Sequence, residues 1–99
     1  MCGAPDQAAE MPPGTSLESE TVLAGKVLAA GEPVGGAFVR LLDGGGEFTA
    51  EVVSSATGDF RFFAAPGNWT VRALSRVGNG EASVTAEGPG LHRTEVAVG

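Results

Sequence analysis

Ser55-Ala56-Thr57-Gly58-Asp59-Phe60-Arg61-Phe62-Phe63-Ala64-Ala65-Pro66-Gly67-Asn68-Trp69-Thr70-Val71-Arg72-Ala73 decides the fold. It reads as turn, aromatic strand, turn, aromatic strand. Three of the five Phe residues and the single Trp fall inside it, so it should supply much of the core. Thr57-Gly58-Asp59 is turn chemistry, with Gly58 free to take a positive φ. Phe60 and Phe62 alternate with Arg61 and Phe63, which predicts Phe60 and Phe62 inside. Pro66-Gly67 suits a type II turn. Trp69, Val71 and Ala73 then face inward, and Thr70, Arg72 and Leu74 outward.

The same period-two pattern extends to both sides. Upstream, Thr21 to Leu28 is a strand in which Lys26 turns the Val22, Ala24 and Leu28 face outward. Gly25 inside it predicts a close backbone approach or a bulge. Ala30-Gly31-Glu32-Pro33 reads as a turn. Ala37 to Leu42 presents Ala37, Val39 and Leu41 on one face and Phe38, Arg40 and Leu42 on the other. Arg40 makes the second face the outer one, because an unpaired buried charge is costly. Asp43-Gly44-Gly45-Gly46 is a hairpin loop. Glu47 to Ser54 has an ambiguous phase, since Val52 and Val53 are adjacent; Glu51 favours Phe48, Ala50 and Val52 as inward. Downstream, Gly78-Asn79-Gly80 is a turn. Glu81 to Glu87 follows with Ala82, Val84 and Ala86 in, and Leu91 to Val98 ends the chain with Thr94, Val96 and Val98 in. Seven short strands with frequent turn signals predict an all-β fold, a seven-stranded antiparallel β-sandwich.

The 99 residues suffice for one such domain, over 21–99. Residues 1–20 read differently, as an acidic N-terminal arm that is disordered or extended. They hold Asp6, Glu10, Glu18 and Glu20, no Lys or Arg, and Met11 and Leu17 as the large apolar residues after Met1. Such a stretch offsets little of an ordering cost of about 1–2 kcal/mol per residue. Of the net charge of −6, the arm carries −4; the domain carries eight acids and six bases. This balance argues against nucleic acid or an anionic membrane as partner. No run approaches the roughly 20 apolar residues of a membrane span. The first residues lack the basic and apolar regions of a secretory signal, so the chain reads as cytoplasmic. One Cys makes no internal disulfide.

The motifs Leu23-Ala24-Gly25-Lys26-Val27, Gly31 to Val39, Thr57 to Phe62 and Pro66 to Val71 resemble carboxypeptidase regulatory-like domains, in the same order along the chain. The resemblance implies their transthyretin-like sandwich. More closely, the chain resembles the small actinobacterial SseC-like proteins. The likeness runs through Met1-Cys2, Glu18 to Thr21, Gly35 to Asp43, Glu47 to Val53 and Ser55 to Trp69. It implies a context in sulfur metabolism beside a rhodanese-type thiosulfate sulfurtransferase, and no reaction.

Two sites stand out. Cys2 would be an accessible thiol on an arm, able to accept sulfur from the persulfide of such a sulfurtransferase. The plain alternative is a tail cysteine of no special reactivity, for no basic neighbour lowers its pKa. The second site is an outer face. If the second, fourth and fifth strands share a sheet, Phe38, Arg40, Arg61, Phe63 and Arg72 share one surface, and aromatics interleaved with Arg compose binding hot spots. The alternatives are ordinary cross-strand pairs, or cover by the arm. Homodimerisation is one version of the interface reading.

Catalytic chemistries fail on inventory. One His and one Cys do not make a structural zinc site. Nothing in the spacing assembles a Ser–His–Asp triad around His92, and Gly44-Gly45-Gly46 lacks the following Lys and helix of a phosphate loop. No cofactor is implied. The sequence therefore points to a non-enzymatic accessory protein acting with a rhodanese-type sulfurtransferase. The alternative is a binding module for protein or carbohydrate without sulfur chemistry.

Overall fold

A computed structural model describes residues 19–99. Cys2 and nearly all of the arm expected over 1–20 lie outside the described residues. Eight strands follow: β1 Thr21–Ala29, β2 Glu32–Pro33, β3 Phe38–Leu42, β4 Phe48–Val53, β5 Asp59–Phe63, β6 Gly67–Ser75, β7 Gly78–Ala86 and β8 Gly90–Ala97. The additional strand is β2, two residues that the sequence reads as turn. They close a hairpin back onto Leu28 and Ala29.

The strands form two sheets of four. Sheet one has β1 at its centre. β8 runs along one edge of β1 from Thr21 to Leu28, while β5 and then β2 occupy the other. Sheet two runs β4-β3-β6-β7. All pairings are antiparallel except β1 with β8, which is parallel. The fully antiparallel expectation is corrected there: the last strand returns beside the first in the same direction.

The core between the sheets follows parity. Leu23, Val27, Phe60, Phe62 and Val96 come from sheet one; Val39, Leu41, Val52, Val71, Ala73 and Val84 come from sheet two. Phe60 and Phe62 are 1% and 4% exposed and touch with ring centroids 6.1 Å apart. Full burial of side chains this size contributes about 1.5–3 kcal/mol each. Trp69 points inward at the margin of the core, partly buried, and its Nε1–H donates to the Ala65 carbonyl at 2.9 Å.

Two glycines have identifiable work. Gly25 pairs with Thr94 in the parallel ladder, and a methyl at Gly25 would overlap the Thr94 carbonyl. The close approach predicted from the sequence is therefore the reason for this glycine. Gly58 sits at φ +80° in the turn before β5 and packs against the Val27 carbonyl. That turn is held by its own side chains. Ser55 and Thr57 hydroxyls bond the Asp59 carboxylate, Lys26 Nζ pairs with Asp59 Oδ1 at 3.0 Å, and Lys26 also donates to the Thr57 carbonyl at 3.0 Å.

Three local expectations change. Gly78-Asn79-Gly80 is not the turn; β7 already begins at Gly78, and Arg76-Val77 turns the chain. A bulge lies between β3 and β4: Leu41 pairs with Ala50, but Leu42 pairs with Phe48, which leaves Thr49 as the extra residue. The bulge reverses the phase, so Phe48 faces outward, 62% exposed, and not into the core. Finally, the outer face of β1 is not open. Val22 and Ala24 are 0% and 6% exposed, so this strand is buried on both sides.

Candidate protein-binding face

The topology divides the aromatic and arginine residues that parity alone groups together. Phe38, Arg40 and Arg72 lie on sheet two, on adjacent strands β3 and β6, with Arg40 directly opposite Arg72. Arg61 and Phe63 lie on β5, which pairs with β1 in sheet one. The single five-residue surface expected from the sequence is thus two surfaces on opposite sides of the sandwich. The physical reason is that β5 crosses to the other sheet after the Thr57-Gly58-Asp59 turn. Arg61 also differs from expectation in burial, at 9% exposed, and it is not without a partner.

On sheet two the outer face is built in rows across the four strands. The central row is Glu51, Arg40, Arg72, Glu81, one residue from each of β4, β3, β6 and β7. Each arginine turns to the acid beside it: Arg40 Nε donates to Glu51 Oε2 at 2.7 Å, and Arg72 donates to Glu81 Oε2 at 3.1 Å. Two like charges side by side are therefore separated by an outward pull on each. The row is neutral, and its ion pairs are exposed enough to contribute at most about 1 kcal/mol each to stability.

Apolar residues lie on both sides of this row. On one side Phe38 stands between Val53 and Leu74; on the other Leu42 stands between Phe48 and Thr70. Phe38 and Phe48 are 52% and 62% exposed. Sequence parity turns Leu42 and Leu74 to this outer side without naming them to the site, and it places Phe48 on the inner side. The adjacent Val52 and Val53 lie in the regular part of the ladder, opposite Val39 and Phe38, so their break in apolar alternation does not mark the bulge at Thr49.

The face continues to one pole of the sandwich. A cleft of about 370 Å³ runs beside Phe38, Leu74 and Ser75 to Arg76. It adjoins a second cleft of about 480 Å³, lined by Pro33, Val34, Gly36, Arg76 and Val77, with Glu32 on its wall. Among the described residues Arg76 has no ion-pair partner. The two clefts thus add an available cation and the exposed Val77 to the edge of the Phe38 patch.

Among the described residues the one displaced titration lies elsewhere. Burial raises the Asp59 carboxyl, but hydrogen bonds from Thr57, Lys26 and Ser55 and the Lys26 charge outweigh it, so its pKa falls below the usual 3.8. The partners are those that fasten the turn, which gives the group a structural task. His92 Nε2 lies 2.8 Å from the Gly88 carbonyl, at the end of sheet one. Among the described residues no three His, Cys, Asp or Glu side chains gather as a metal set. Among them, too, no helix is long and apolar enough to cross a membrane.

Solved structures share this architecture. The chain superposes on the Klebsiella pneumoniae 5-hydroxyisourate hydrolase with a TM-score of 0.58 and 21% identity, covering 80% of this chain and 91% of that one. It also superposes on the dioxygenase domain of a dioxygenase–carbohydrate-binding protein fusion from a cellulolytic Streptomyces, with a TM-score of 0.59 and 16% identity over 98% of both chains. At such identities the likeness concerns the fold alone, an all-β sandwich of transthyretin-like type. Sequence relatives are much nearer. An uncharacterized protein of Mycobacterium tuberculosis H37Rv is 59% identical over 99 residues, 99% of each chain. One of Mycolicibacterium smegmatis is 65% identical over 89 residues, 89% of this chain and 99% of that one. With its family model matching residues 2–98, the chain belongs to the DUF1416 family of proteins of unknown function.

Proposed function

We propose that this chain is a non-enzymatic interaction protein that docks a partner protein on the outer face of sheet two. The observation that carries the reading is the pair of half-exposed phenylalanines, Phe38 and Phe48, on either side of an ion-paired arginine row. Aromatic anchors with Arg between them and polar residues around them match the composition of binding hot spots. A second copy is the poorer fit. Laid face to face with the rows in register, it sets arginine against arginine and glutamate against glutamate.

The partner to try first is the rhodanese-type thiosulfate sulfurtransferase that the SseC-like resemblance names, in the cytoplasm. In that reading Cys2 is a sulfur acceptor. Its thiolate attacks the outer sulfur of the enzyme persulfide, forms a new persulfide on Cys2, and releases the enzyme thiolate.

Co-purification with that sulfurtransferase tests both parts. Capture should survive Cys2→Ser and Phe63→Ala and be lost with Phe38→Ala combined with Phe48→Ala. Capture that is indifferent to the double change rejects the face. The intact mass after incubation with thiosulfate-charged enzyme should rise by one sulfur atom in the parent and not in Cys2→Ser. No gain in the parent leaves docking without transfer, and no capture at all favours a module for another protein or a carbohydrate.

A further inference from the structure

The two clefts at the pole beside Phe38 meet at Gly36, Ser75 and Arg76, which line both. At about 480 and 370 Å³, each falls in the range of small-molecule pockets, roughly 300–1,000 Å³. Their walls are largely apolar: Pro33, Val34 and Val77 in the larger cleft, Phe38 and Leu74 in the smaller. Gly36 puts no side chain into the junction, and a Cβ there would meet no atom within 4 Å, so the passage between the clefts is clear. The polar groups at the junction differ in what the fold leaves them. The Gly36 amide donates to the Ser54 carbonyl at 3.0 Å. The Ser75 hydroxyl donates to the Gly78 carbonyl at 2.8 Å and accepts from the Val77 amide at 3.2 Å. The Arg76 guanidinium has no ion-pair partner among the described residues. It is not paired even with Glu32, the acid that lines the larger cleft, and Glu32 has no ion-pair partner there either.

We propose that this pole binds a small organic monocarboxylate with an apolar body. The Arg76 guanidinium takes the carboxylate through parallel N–H···O bonds, for which its planar fork is shaped. The apolar body lies against Phe38 and Leu74 in the smaller cleft, away from Glu32. Both parts of the ligand are needed. An inorganic anion leaves the apolar walls unused, and a neutral apolar molecule leaves the Arg76 charge unanswered. The charge of the ligand is limited to one. Ser75 is already committed, so Arg76 is the one side chain lining both clefts that is left to meet an anion. A second carboxylate would fall either among Phe38 and Leu74 or beside Glu32, and both settings oppose it. The site shares Phe38 with the docking face but does not rest on the docking reading.

An NMR titration of the isotope-labelled full-length chain with hydrocinnamate tests this. The amide signals of Gly36, Leu74, Arg76 and Val77 should shift saturably, while those of Thr94 and Glu95, at a cleft on sheet one, should not move. Hydrocinnamide, which lacks the charge, and acetate, which lacks the body, should each bind about tenfold more weakly or worse, and so should hydrocinnamate to Arg76→Gln. Arg76 is exposed and unpaired, so its replacement should leave the rest of the spectrum in place. Adipate, with two carboxylates, should bind more weakly than hydrocinnamate. No saturable shift, equal binding of the amide, adipate as tight as hydrocinnamate, or affinity undiminished in Arg76→Gln overturns the proposal. So does a preference of about tenfold for acetyl-glycyl-glycyl-phenylalanine, which would make the occupant the C-terminus of a protein. Phe48→Ala, beyond the arginine row, removes an anchor of the docking face and should leave this titration unchanged, so the two readings fail separately.

Discussion

The two outer faces obey the same alternation and have opposite fates. On sheet one, the lysine–aspartate pair Lys26–Asp59 has its acid nearly buried, tied into a turn by two hydroxyls, and Arg61 is almost out of solvent. On sheet two, Arg40–Glu51 and Arg72–Glu81 stand in solvent beside exposed Phe38 and Phe48. Polar residues in an outward phase can thus be part of the scaffold or part of a surface. What separates the two cases is whether something covers them, and parity carries no information on that.

Substitutions sharpen the contrast. The largest effect belongs to Gly25→Ala, where the added methyl meets the Thr94 backbone and no flexible side chain can yield. The β1–β8 ladder should be lost and the chain should fail to fold, seen as loss of the cooperative unfolding transition. A folded Gly25→Ala protein would show that sheet one is less rigidly paired than described. Next come two phenylalanines in different settings. Phe60→Ala should cost about 3–5 kcal/mol in denaturant unfolding, whereas Phe48→Ala should stay within about 0.5 kcal/mol. Equal costs would return Phe48 to the core.

The ion pairs give the smaller effects. Asp59→Asn should cost about 1–3 kcal/mol, because it removes a charged carboxylate that accepts hydrogen bonds from three partners. Since the folded pKa lies below the unfolded value, the carboxylate stabilises the fold above the usual 3.8, and that contribution disappears as pH falls through the lower, folded value. Unfolding free energies measured across this acid range should converge for the parent and Asp59→Asn at its bottom. Arg72→Ala is the smallest, about 0.2–1 kcal/mol by the same measurement and diminishing with salt. A larger loss there would mean that sheet two's face, too, is structural.

Much of the fold is legible in the sequence because its signals are local. Phe60 and Phe62 alternate with Arg61, Gly58 marks a turn, and Gly25 sits mid-strand for a reason of close approach. What is hidden depends on distant partners. Nothing within Leu91 to Val98 says that this strand pairs with β1, or that it does so in parallel. The β3–β4 bulge exists only as a mismatch between two strands, so alternation alone puts Phe48 on the wrong side. The candidate face is half legible. Phe38, Arg40 and Arg72 are read correctly as one surface, while Arg61 and Phe63 join them by parity alone, because sheet membership of β5 is a property of topology and not of alternation.

The parallel pairing of β1 with β8 also sets how the domain bears load. Tension drawing Thr21 backward and Ala97 forward pulls the two strands along their length in opposite directions. All eight register pairs from Thr21–Gly90 to Leu28–Ala97 are then sheared together, where an antiparallel terminal hairpin would unzip one pair at a time. A small sandwich with modest thermodynamic stability can in this way be mechanically stiff along the line joining its first strand to its last.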